Sequence, residues 1–139
     1  MNLSVKQGES VAIVGKTGAG KTSIVNLIMK FYDIDKGKIL IDGKDIKDIN
    51  VETLRRNIGV VLQDTKLFYG TIKENIAYGK TDATDEEIKS AAILSGADTF
   101  INRLTEGYNT LITENTILSE GEVQLITIAR VFLLKPPIL

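Results

Sequence analysis

Apolar and polar positions divide the chain into two halves of different character. Ser10-Val-Ala-Ile-Val14 is a short β-branched run ending at Gly15, and it predicts a buried strand of a parallel sheet. A glycine-rich loop follows. Ile24, Leu27, Ile28 and Phe31 then fall at i, i+3, i+4 and i+7, which predicts a helix over Lys21 to Phe31. Lys38 to Ile41 reads as a strand closed by the Asp42-Gly43 turn, and Asn50 to Arg56 as a short helix. Ile58 to Leu62 predicts a second buried strand, ending at Gln63.

The second half is helical in pattern. Thr84 with Glu87, and Ser119 with Glu122, have the spacing of capping boxes. The first opens a helix with Ile88, Ala91, Ala92 and Ser95 on one face and Gly96 as its stop. Ala97 to Leu104 predicts a further short helix before Gly107. The second box opens a helix whose expected buried face is Leu125, Ile128, Ala129, Phe132 and Leu133. Pro136-Pro137 ends it, because the residue before a proline disfavours the α region. Ile138-Leu139 then looks like the start of another buried strand.

Composition narrows the chemistry. In 139 residues, apolar types make up 43% and charged types 25%, the balance of an ordinary globular chain rather than a disordered one. Net charge is −1, so no global field favours nucleic acid, and none is expected as a partner. The lysines from Lys36 to Lys47 alternate with Asp42 and Asp45 and read as a solvated face. Without Cys or His, disulfides, His- or Cys-based metal sites and Ser-His-Asp triads are excluded within the chain. The first residues lack the apolar segment of a signal peptide, and no apolar run approaches the roughly 18–20 residues of a membrane span. Membrane association is therefore expected through a partner.

The most specific signal is Gly15-Lys16-Thr17-Gly18-Ala19-Gly20-Lys21-Thr22, which fits G-x-x-x-x-G-K-[ST] between a predicted strand and a predicted helix. Glycines let successive amide groups turn into one concavity, and the positive end of the following helix favours an anion there. Lys21 is expected to reach the outer phosphates of a nucleotide and Thr22 to ligand Mg²⁺, with Ser23 completing the binding segment.

Further stretches narrow the reading. Val60-Val-Leu-Gln63-Asp64 resembles the Q-loop of ABC transporter ATPases, and Leu118-Ser-Glu-Gly-Glu122 resembles their LSGGQ signature. Ile126 to Arg130 and Lys135 to Leu139 look like the run into the Walker B strand. Gly37 to Gly43 and Gly70 to Ile76 look like the exporter subgroup. The resemblance covers the whole chain in the family's order.

It implies an α/β P-loop NTPase fold, an ABC-type core with an antiparallel β part and a helical insert. Residues 1–80 would form the P-loop and β core, 81–134 the helical subdomain with the signature helix, and 135–139 the start of the Walker B strand. It also implies ATP and Mg²⁺ as ligands, with Gln63 positioning water and Mg²⁺. Ser119 and Gly121 would contact the γ-phosphate held by a second nucleotide-binding domain in a head-to-tail dimer. The partner would be the transmembrane domain of an exporter, at the cytoplasmic face of the membrane. Ser119 and Glu122 also make sense as a capping box alone.

The sequence departs from the family at Glu120 and Glu122, which replace Gly and Gln, and at Val123. No aromatic stands upstream of the loop to stack on adenine. No residue matches the catalytic Glu of Walker B or the switch histidine. The expectation is a nucleotide-binding domain truncated before the Walker B strand, inactive by itself. The rival readings are a non-hydrolytic nucleotide-binding or interaction module and a soluble ABC-type ATPase.

Overall fold

The computed structural model describes residues 2–62 and 66–139, in two compact units, 1–55 and 56–139. In the first unit, residues 2–20 lead without regular structure into α1 (Lys21–Ile28). A hairpin follows, β1 (Leu40–Ile41) antiparallel to β2 (Lys44–Asp45), with Ile41 opposite Lys44. Its turn holds Asp42 at φ 49° and Gly43 at φ 79°. Two left-handed residues match the twist of the strands, and Asp-Gly is the pair that tolerates them. A 3-10 turn over Ile46–Asp48 leads to α2 (Val51–Arg56). Asn50 starts α2 by accepting from the amides of Glu52 (2.9 Å) and Thr53 (3.2 Å) at its Oδ1. Arg55 donates from Nε to the Met29 carbonyl (3.1 Å) and lies over the Phe31 ring, which ties α2 to the end of α1.

The second unit is built on three helices that each begin with a capping box. They are α3 (Ile72–Ala77) behind Thr71, α4 (Asp85–Ser95) behind Thr84, and α6 (Glu120–Leu134) behind Ser119. A short α5 (Asp98–Ile101) follows Gly96, which closes α4 at φ 83°. The ribbon β3 (Gly70–Thr71) and β4 (Leu111–Ile112) is antiparallel, with Gly70 opposite Ile112. Helix α6 packs on α4 and α3 around Ile72, Ile76, Ile88, Ala92, Ile101 and Ile126.

Several expectations change. Residues 10–14 form no strand, and Val14 is 88% exposed. An apolar run becomes a strand only when a neighbour takes up its backbone hydrogen bonds, and no strand among the described residues pairs with this one. Helix α1 stops at Ile28, because Lys30 takes φ 52°, so Phe31 leaves the helical face and is exposed. The strand expected at Ile58 to Leu62 is reduced to one parallel bridge, Ile58 to Ile138, with the Gly59 amide donating to the Ile138 carbonyl at 2.8 Å. The helix expected from Ala97 to Leu104 is only α5. On α6, Ala129 and Leu133 are buried as expected, but so are Ile126, Thr127 and Val131, while Leu125, Ile128 and Phe132 are half-buried. The helix is covered on more than one side, so a single apolar stripe does not describe it.

Candidate functional site

The segment 15–23 is organised by its glycines and its lysine. Gly18 (φ 82°) and Gly20 (φ 84°) are left-handed, a conformation that costs a residue with a Cβ roughly 1–2 kcal/mol. The Ala19 amide turns back onto the Lys16 carbonyl at 3.1 Å. Lys21, the first residue of α1, sends its ammonium back across the loop. Its Nζ donates to the Gly15 carbonyl at 2.7 Å and the Lys16 carbonyl at 2.9 Å. The cation is thus held at the mouth of the loop by the same backbone that forms it. Lys16, Thr17, Ala19, Thr22 and Ser23 are exposed around it.

The start of α1 differs from the starts of the other two helices of eight residues or more. Helices α4 and α6 carry acidic first turns and side-chain caps. Helix α1 has neither: Gly20 offers no side chain and the first turn holds no carboxylate. A helix start leaves amide groups without partners inside the helix and carries a partial positive charge. Lys21 beside it adds a full positive charge, an arrangement that favours an anion. Among the described residues no cluster of three or more His, Cys, Asp or Glu could cage a metal, so a cation here would need its ligand's own oxygens with Thr22.

Gln63, with Asp64, lies outside the described residues. Ser119 and Gly121 belong to the second unit. Ser119 accepts from the Glu122 amide (3.3 Å), and its own amide (2.8 Å) and hydroxyl (2.9 Å) both donate to the Glu122 carboxylate. The carboxylate therefore caps α6 at the serine to which the resemblance gives a phosphate contact. Gly121 is not required by the fold: its φ is ordinary, and an added Cβ would meet nothing within 4 Å. A glycine in a helix costs about 0.5–1 kcal/mol relative to Ala, so the open space above it is retained at a loss of stability.

The sequence reading did not foresee a polar network in the second unit. Asn75 is 2% exposed yet fully bonded: it takes the Phe68 amide at Oδ1 (2.8 Å) and gives Nδ2 to the carbonyls of Phe68 and Thr71 (both 2.9 Å). Arg130 of α6 adds its Nε to the Asn75 carbonyl and an Nη to Asn75 Oδ1, both at 2.6 Å. Burial pulls the Arg130 pKa below its ordinary value, with the charge interaction with Tyr78 a smaller effect in the opposite direction. Tyr108 moves the other way: burial, then its bond to Asp98, pushes the phenol up and keeps it a donor.

The glycine loop before α1 and Leu118-Ser119 before α6 stand in the order of an ABC-type nucleotide-binding domain. The chain belongs to the ABC transporter family, whose model matches residues 1–139. It is 53% identical over its whole length to a fatty acid ABC transporter ATP-binding/permease protein of Mycobacterium bovis, covering 22% of that protein. It is 52% identical to a putative multidrug export ATP-binding/permease protein of Bacillus subtilis, covering 24% of it. The solved structure of a bacterial Atm1-family ABC exporter with ATP bound matches 87% of the chain and 22% of that exporter at TM-score 0.81, with 43% identity. The chain thus spans under a quarter of the length of these relatives.

Proposed function

We infer that the chain is the ATP-binding part of an ABC exporter, coupling nucleotide binding and hydrolysis to the movement of a solute across a membrane. The observation that carries this reading is the open start of α1, with the Lys21 ammonium held over the carbonyls of Gly15 and Lys16. In it, the amides of Gly15, Lys16, Thr17, Gly18, Ala19 and Gly20 and the Lys21 ammonium bind the phosphates of ATP. Thr22 would hold Mg²⁺, beside Ser23, and Gln63 would serve to position the metal and water. When bound, Mg²⁺ would neutralise charge developing on the phosphates. Ser119 and Gly121 meet the nucleotide of a second nucleotide-binding domain, and the unoccupied space above Gly121 is consistent with that approach.

The ATP-binding/permease names of the relatives support a transmembrane domain as partner and the cytoplasmic face of a membrane as location. No helix among the described residues is long and apolar enough to cross a membrane. None of residues 1–20 is aromatic, so the loop and the residues shown before it offer the base no stacking partner. Calorimetric titration should give Mg-ATP and Mg-GTP affinities within a few-fold of each other. A preference for ATP above about tenfold, roughly 1.4 kcal/mol, would show that a residue outside the phosphate loop reads adenine.

A further inference from the structure

We propose that Arg130 is a positioning residue, clamping the chain that emerges from Gln63 onto the helix that begins at Ser119. This rests on the reading that Gln63 and Ser119 both serve nucleotide turnover. Arg130 lies on α6, three helical turns from its start. Its guanidinium reaches three acceptors: the Asn75 carbonyl, Asn75 Oδ1, and the Lys66 carbonyl at 3.2 Å. Lys66 follows Gln63 by three residues.

Asn75 carries the clamp one step further along the same segment, since it bonds both the amide and the carbonyl of Phe68. The Phe68 ring stacks on Tyr78 with centroids 4.3 Å apart, and the Arg130 guanidinium lies 5.1 Å from the Phe68 centroid. Arg130 therefore meets the Lys66 carbonyl and the Phe68 ring directly and the Phe68 backbone through Asn75. A lysine would keep the charge but not the planar fork that meets several acceptors at once. A displacement of α6 would be transmitted to Lys66–Phe68 through these bonds, which join parts of the chain 55 and 64 residues apart.

The test uses the full-length protein that carries this chain and compares Arg130→Lys, Asn75→Ala and the double variant, with Lys21→Ala as reference. A positioning role predicts that Arg130→Lys lowers kcat for ATP by about tenfold while KM stays within about twofold. Because both residues belong to one clamp, the double variant should lose no more than the worse single variant. Asn75→Ala opens the clamp from the other side and serves if Arg130→Lys does not fold. Unchanged kcat, a rise in KM alone, or losses that multiply in the double variant would overturn the assignment. If Lys21→Ala leaves ATP binding intact, the underlying reading of the site fails instead.

Discussion

Replacing Lys21 by alanine should weaken the binding of Mg-ATP by about one to two orders of magnitude. The ammonium is fixed at the mouth of the loop by the Gly15 and Lys16 carbonyls, so little order has to be gained when an anion arrives. Hydrogen bonds to a charged group contribute about 1.5–3 kcal/mol, which corresponds to a roughly 10- to 150-fold loss in affinity. The variant also leaves the loop carbonyls without their cation, so phosphate oxygens would face carbonyl oxygens. The first unit should stay folded, since Lys21 is not among its buried residues. Calorimetry on the two forms, with circular dichroism as the control for folding, decides the matter. Equal affinities would remove Lys21 from the site.

The second large effect is on stability. Gly59→Ala should destabilise the second unit by about 1–3 kcal/mol, or more if the backbone cannot shift. Gly59 has an ordinary backbone conformation, so the reason is space. Its amide is drawn to the Ile138 carbonyl, which brings the backbone under α6. An added Cβ would overlap Val131 Cγ1 and lie 2.6 Å from Pro136 Cγ. Neither neighbour yields easily, because valine is stiff at χ1 and the proline ring is closed. A urea midpoint equal to that of the parent would show that the Ile58–Ile138 bridge is not formed in solution.

What could be read in advance was local. Gly18 and Gly20 encode the loop by themselves, because the conformation they supply is closed to most other residues. The boxes at Thr84 and Ser119 are fixed by a spacing of three residues, and both form. Thr71 and Glu74 have the same spacing, but the helix they open has six residues, too few for a helical period to mark it in the sequence. In that box the Thr71 amide, then its hydroxyl, hold the Glu74 carboxyl below its ordinary value.

What depended on distant partners was not legible. The apolar run at 10–14 carries strand propensity, but propensity cannot supply a neighbouring strand. Val131 is buried partly because it lies against Gly59, a contact that no helical wheel contains. Arg130 and Asn75 gave no sign of each other across 55 residues, and the structure alone joins them. Glu122 has the spacing of a capping partner for Ser119 and also replaces the family's glutamine. The geometry unites the two, since the carboxylate that caps α6 is bonded to the Ser119 hydroxyl.

In the proposed function the loop from Gly15 to Thr22 binds phosphates rather than a base or a sugar. Competition against Mg-ATP tests this directly, using inorganic triphosphate with Mg²⁺ in one series and adenosine in the other. The arrangement of amides and Lys21 predicts that triphosphate displaces ATP and that adenosine does not. Displacement by adenosine, with triphosphate inert, would contradict it.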